Sequence, residues 1–203
     1  MLVLKNITKR FEEKLLFSAL SYTFPEQGLF LLLGGSGTGK TTLLRMIAGL
    51  DTDFSGTVEG GGSAATSFAF QEHRLFPSLT ALGNVTEVLR AAGHTPDEAE
   101  QRARETLAAV GFPEGDLSRR PAALSGGMRQ RVSLARAIAV PRPILLLDEP
   151  EKELDERLRD RLHRLVASEA RRRLILLVTH TPEALLPLAD GTLSLDREIP
   201  ERA

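Results

Sequence analysis

The sequence predicts an α/β fold built on a largely parallel sheet, and three observations predict it. The stretch "LFLLLGGSGTGKTTLLRMIAGL", Leu29 to Leu50, runs from an apolar strand through a glycine-rich loop into a helix. Two later apolar runs, Ile144–Leu147 and Leu174–Thr179, show the unbroken hydrophobicity of strands buried on both faces. Helical segments separate these runs. Strands alternating with helices imply parallel pairing, with ligands outside the strands' carboxyl ends.

The elements follow in order. Leu2–Ile7, Leu15–Phe24 and Leu29–Leu33 read as short strands, with turn residues at Pro25–Gly28. Thr42–Ala48 reads as a helix stopped by Gly49, and "DTDFSGTVEGGG" places a short strand among turn residues. Ser67–Phe70 is a further strand, ending at Gln71. Residues 78–124 change character: "NVTEVLRAAG" and "PDEAEQRARETLAAVGF" are helical in composition, with Pro96 at a start and Gly93 and Gly111 as stops. The expected organisation is a single domain over 1–203, with 1–77 and 125–203 forming the core and 78–124 an inserted helical lobe. A helix from about Gly127 to Ala139 and a charged helix from Glu156 to Arg172 complete the pattern. The arginines of the latter are expected on a solvated face with some Glu/Asp–Arg pairs, because no aromatic residue is interleaved for nucleic acid.

Composition narrows the function. A length of 203 residues suits one α/β domain, alone or with a small lobe. The 26 basic and 27 acidic residues give a net charge of −1, no basis for general affinity for nucleic acid or anionic lipid. Without cysteine, disulfide and thiol chemistry are excluded, in keeping with a cytoplasmic location. "MLVLKNITKRFEE" lacks a signal peptide's apolar core. No run approaches the roughly 20 apolar residues of a membrane span, so any membrane role is expected through a partner. No further regulatory domain is expected in the short stretch after His180.

The chemistry starts in the glycine loop. Gly34, Gly35, Gly37 and Gly39 let the backbone curl with its N–H groups inward, and the following helix start favours a phosphate chain. Gly34, Gly39, Lys40 and Thr41 satisfy G-x-x-x-x-G-K-[ST], with Lys40 supplying charge and Thr41 a hydroxyl suited to Mg²⁺. Ile144–Leu147 then delivers Asp148 and Glu149 to the same sheet edge. Alternation along a strand predicts different roles for them: Asp148 supports Mg²⁺, and Glu149 orients and deprotonates a water. In "LSGGMRQR", Ser125 caps a helix opening with Gly126 and Gly127, a second anion-binding end. One nucleotide does not need two such ends.

The motifs "GGSGTGKTT", "FQEHRLFP", "LSGGMRQR", "ILLLDEP", "ELD" and "VTH", in this order, resemble those of ATP-binding cassette (ABC) ATPases, the motors of ABC transporters. The resemblance covers nearly the whole chain and implies a phosphate-loop core, an N-terminal antiparallel β subdomain and the helical insert. It implies head-to-tail pairing of two cassettes, so that the second helix end serves the neighbour's nucleotide. It further implies that Lys40 and the backbone of Gly35, Ser36, Gly37, Thr38, Gly39, Thr41 and Thr42 hold the ATP phosphates. By the same resemblance Thr41, Gln71 and Asp148 serve Mg²⁺, with Gln71 also sensing the attacking water. Glu149 is implied as base, and His180 as the γ-phosphate contact. Ser125 and Gly127, with Gly126, are implied to grip the partner's ATP, and Asp155 to communicate across the interface. Phe11 is implied as the platform for adenine, with Phe17 the competing choice.

Three features depart from the commonest pattern: Glu151-Lys152-Glu153 before Leu-Asp, Thr181 after the histidine, and Met128 in the signature. They bear on coupling between cassettes and remove no catalytic group. The resemblance implies a transporter motor, closest in flavour to importers of small ions and organic anions such as nitrate, sulfonate or taurine. The partners it implies are a second cassette, in the simplest case another copy of this chain, and polytopic permease subunits on the inner face of the cell membrane. Leu75, Phe76 and Pro77 are expected to expose an apolar clasp for a membrane subunit's helix. The alternatives are a soluble cassette ATPase of DNA repair, translation or cluster assembly, and a nucleotide-gated binding module without turnover. The absence of a coiled-coil insert or tandem cassette argues against the first; Glu149 and His180 argue against the second.

Overall fold

A computed structural model describes residues 1–12 and 14–196. Two sheets organise it. Strands β1 (Leu2–Phe11), β2 (Lys14–Phe24) and β4 (Ser55–Glu59) form an antiparallel sheet in the order β2-β1-β4. Strands β3 (Gly28–Leu33), β5 (Thr66–Ala69), β6 (Ile144–Asp148), β7 (Leu174–Val178) and β8 (Gly191–Ser194) form a wholly parallel sheet, ordered β5-β6-β7-β3-β8. Around it stand α1 (Lys40–Ile47), α2 (Ala81–Ala91), α3 (Pro96–Ala109), α4 (Gly126–Ala139) and α5 (Glu156–Glu169).

Strand alternation divides the parallel sheet between two cores. Leu29, Leu31, Leu145, Leu147, Ile175 and Leu177 face the layer of α2, α3, α4 and α5. Phe30, Leu32, Ile144, Leu146, Leu176 and Val178 face α1 and the antiparallel sheet, where Leu2, Leu4, Ile7 and Phe24 close the second core. The inserted helices α2 and α3 therefore share a continuous core with α4 and the sheet; Ala81, Val85, Leu89, Ala99, Ala103 and Leu107 are all buried in it. The capping box of α3, in which Thr95 and Glu98 bond reciprocally, fixes its start where Pro96 had signalled it.

Several bounds differ from the sequence reading. Strand β1 continues to Phe11 because a bulge at Lys5–Asn6, with Asn6 at φ 50°, shifts the alternation and hides its second half. Helix α1 starts two residues earlier, at Lys40, where Gly39 at φ 101° turns the chain out of the loop. Helix α5 stops at Glu169, and Arg173 turns inward to donate to the carbonyls of Ile138 and Val140 at the end of α4. Strand β8 has no counterpart in the sequence pattern: "GTLS" is too short to show one, and its register comes from pairing with β3.

Candidate nucleotide site

The carboxyl ends of β3, β6 and β7 meet the loop before α1. A recess of about 530 Å³ there is lined by residues from five separated segments, among them Phe11, Lys40, Gln71, Glu149 and His180. Gly39 must be glycine: besides its φ of 101°, a Cβ there would stand 2.7 Å from the Phe17 ring. The N–H groups of Ser36, Gly37 and Gly39 have no hydrogen-bond partner among the described residues. Lys40 is buried and folds back over its own loop, with Nζ donating to Gly34 O at 2.7 Å and Gly35 O at 2.8 Å. A concave set of free amides with a lysine above it is a phosphate cradle.

One of the implied contacts already has a partner within the chain. The Gly35 N–H is taken by Asp196 Oδ1 at 2.8 Å, so the free amides begin at Ser36. Asp196 is a tie that sequence reasoning missed; it follows β8, 161 residues away in the chain, and no local signal announces it. Between the two aromatic candidates, the structure separates roles by burial. Phe17 is 5% exposed and packs in the core against Gly39, whereas Phe11 is 51% exposed at the mouth of the recess. Only Phe11 offers a ring face to a base.

Asp148 and Glu149 part company, though not by alternation along a strand. Asp148 ends β6 and is buried; Glu149 has already left the strand, in the left-handed region at φ 51°, where a non-glycine residue is strained. That turn swings its carboxylate to His180, Oε1 to Nε2 at 2.6 Å, while Gln71 Nε2 donates to its other oxygen at 3.1 Å. Three of the residues read from sequence thus form one bonded cluster facing the phosphate cradle.

Asp148 Oδ1 is buried with no partner. Burial raises its pKa above the ordinary carboxylate value and neighbouring Glu149 adds to this, against the Thr41 hydroxyl bond and the charges of Arg45 and Lys40. An orphaned carboxylate oxygen beside a threonine hydroxyl fits Mg²⁺. When bound, Mg²⁺ neutralises charge on the phosphate oxygens; Thr41 and Asp148 are the residues that would hold it. A stability consequence follows. Protonated Asp148 favours the folded chain, a contribution fully present below the ordinary carboxylate pKa and lost as pH rises through the raised value. At neutral pH, without Mg²⁺ or nucleotide, Asp148→Asn is expected to melt at or above the wild-type temperature, and below it when both are added. Melting curves with and without Mg²⁺ and ATP check this.

The remaining predicted residues lie elsewhere. Ser125, Gly126, Gly127 and Asp155 do not line the recess. Ser125 caps α4 by accepting the Met128 N–H at 3.2 Å, and the Gly127 position is tight, 2.7 Å from the Glu153 carbonyl for any Cβ. Asp155 caps α5 by accepting the Leu158 N–H at 2.9 Å. Of the Glu/Asp–Arg pairs expected for the charged helix, Glu169 pairs with Arg173 at 2.6 Å, whereas Arg161 donates to the carbonyls of Ala108 and Ala109 at the end of α3. The helix start read from Ser125, Gly126 and Gly127 is present as a capped end of α4, away from the recess of this chain.

Fold and site together define a phosphate-loop nucleotide cassette. The family model described as ABC transporter matches residues 17–152. An Fe(3+) ions import ATP-binding protein of Rhizobium meliloti is 43% identical over 200 residues, covering 93% of this chain and 56% of that protein. An aliphatic sulfonates import ATP-binding protein of Corynebacterium glutamicum is 40% identical, covering 95% of this chain and 79% of that protein. The dimeric structure of a bacterial ABC transporter cassette superposes with a TM-score of 0.85 at 27% identity, over 96% of this chain and 95% of that one. A related dimer, in a post-hydrolysis state bound to ADP and Pi, gives 0.84 at 28%, over 97% and 94%. The chain belongs to the ABC transporter family and has the fold of its ATP-binding cassette. It spans little more than half the length of the iron-import relatives.

Proposed function

We propose that this chain is the ATP-hydrolysing motor of an ABC importer for a small ion or organic solute, the class to which the ferric-ion and sulfonate relatives' names belong. The observation that carries the enzymatic part is the Gln71–Glu149–His180 cluster facing the phosphate loop. In this reading Lys40 exchanges the Gly34 and Gly35 carbonyls for phosphate oxygens. Glu149 takes a proton from a water held against Gln71, the oxygen of that water bonds to the γ-phosphorus, and the bond from that phosphorus to the bridging oxygen breaks, leaving ADP and phosphate. His180 holds Glu149 in place and stands ready to donate to the γ-phosphate. Hydrolysis needs the second helix end, Ser125–Gly127, from a paired cassette, and self-pairing is the simplest arrangement.

The membrane part rests on a groove. No described helix is long and apolar enough to cross a membrane; in this reading permease subunits hold the chain at the cytoplasmic face. Beside β5, a groove of about 330 Å³ is lined by Phe68, Phe70, Phe76, Val88 and Arg136. Phe68 and Phe70 stack at 4.1 Å, Arg74 lies over Phe70, and Arg136 lies over Phe76, which is 42% exposed. Buried Asn84 holds this wall: it accepts the Phe76 N–H at 2.8 Å and donates to the carbonyls of Phe76 and Thr80. Leu75, read from sequence as part of the clasp, instead packs toward the core, so the apolar surface is made by Phe76 with the β5 aromatics. An aromatic groove rimmed by arginine suits an amphipathic helix, and nothing comparable is required of a soluble cassette.

The test is affinity capture from detergent-solubilised native membranes. Tagged Glu149→Gln chain with ATP is expected to retain a polytopic membrane protein, and Phe76→Asp in the same background is expected to lose it while still binding ATP. Recovery of soluble proteins alone would reject the transporter reading.

A further inference from the structure

The loop after the proposed base carries three charged residues, Glu151-Lys152-Glu153, and the first of them turns inward. The Glu151 side chain is 9% exposed. One of its carboxylate oxygens is bonded to His163 Nε2 on α5, and the other accepts the Thr179 hydroxyl at 2.5 Å. Thr179 Oγ1 in turn accepts the backbone N–H of Thr181 at 3.0 Å. His163 and Thr179 are buried as well. A carboxylate held this far out of water is unfavourable unless its oxygens are bonded, and here both are.

We propose that Glu151 is a positioning residue for hydrolysis, fixing His180 against Glu149 by tying together the two segments that carry them. The proposal rests on the reading of Glu149 and His180 as the hydrolytic pair. Glu149 lies two residues before Glu151 on a tightly bent loop, with Glu149 at φ 51° and Glu153 at φ 65°. His180 is bracketed by Thr179 and Thr181, whose hydroxyl-to-amide bond closes a strap held from below by Glu151. The 2.6 Å contact between Glu149 and His180, mostly exposed on the histidine side, is therefore backed by a second, buried connection between the same two segments. His163 adds the third anchor. It stands on α5, whose cap Asp155 ends the same loop, so a displacement of the loop at its Asp155 end reaches the His180 strap through Glu151.

Turnover and nucleotide binding of the full chain, with its membrane partner where turnover requires one, test this. Glu151→Ala and Thr179→Val are each expected to lower kcat roughly ten- to hundredfold, the scale of a misplacement of about 1 Å. KM for ATP and the affinity for a fluorescent ATP analogue are expected to stay within about twofold, because no phosphate contact is removed. In Glu151→Gln the amide oxygen can accept from Thr179 and the amide N–H can donate to His163, so kcat is expected to stay within about threefold of wild type. The double variant Glu151→Ala/Thr179→Val is expected to be no slower than the slower single variant, as for two members of one network. If Glu151→Ala does not fold, Thr179→Val and Glu151→Gln carry the test. Wild-type kcat in Thr179→Val and Glu151→Ala, alongside lost turnover in Glu149→Gln, would overturn the proposal alone. Undiminished turnover in Glu149→Gln would overturn the base assignment and this proposal with it.

Discussion

Glu149→Gln is expected to abolish steady-state phosphate release while leaving ATP binding intact. The amide has no basic lone pair to accept the water's proton, and general-base catalysis is worth about 10²- to 10⁴-fold. The geometry makes this substitution unusually clean. The glutamine oxygen can still face His180, where the carboxylate now contacts Nε2 at 2.6 Å, and Gln71 remains within reach at 3.1 Å. The strained turn at φ 51° belongs to the backbone and is unchanged by the swap. Loss of turnover with unchanged affinity for a fluorescent nucleotide separates the proton-transfer role from binding. Retained turnover would mean that the bonded cluster is only a structural cap.

Lys40→Ala is expected to act on the other side of that division, through binding. Nζ is buried above the loop and spends its hydrogen bonds on the Gly34 and Gly35 carbonyls until an anion replaces them. A charge-assisted hydrogen bond is worth about 1.5–3 kcal/mol, so losing it weakens ATP binding roughly 10- to 100-fold. Equilibrium titration with a fluorescent ATP analogue measures the loss. A thermal melt near that of wild type would show that the loop still folds, since Gly39 and its contact with Phe17 remain.

What was legible in the sequence was local. The phosphate loop reads directly because glycine spacing, lysine and threonine act within nine residues, and Asp148 reads from the apolar strand that delivers it. The helical insert was legible from composition, from Pro96 and from the Gly93 and Gly111 stops, whereas the Thr95–Glu98 capping box and the sharing of one core with α4 were not. Contacts that close over long chain separations were invisible. Asp196 occupies the Gly35 amide from 161 residues away, and Glu151 finds Thr179 and His163 only because β7 and α5 converge on one loop. Conformation hid the rest. Asp148 and Glu149 differ because the strand ends between them in a left-handed turn, an outcome that strand alternation does not contain. Likewise Leu75 and Phe76 are adjacent apolar residues, and only the Asn84 bonds to Phe76 decide which one faces the groove.

The puzzle of two phosphate-gripping helix ends on one chain has its proposed answer in a pair of chains, each lending Ser125–Gly127 to the other's ATP. Light scattering of Glu149→Gln chain with Mg²⁺ and ATP, combined with a count of bound nucleotide, tests that answer most directly. The account predicts a species of two chains holding two ATP molecules, which disperses when ADP replaces ATP. Chains that saturate with one ATP each and remain single would contradict it, and would leave the α4 helix end without a nucleotide to serve.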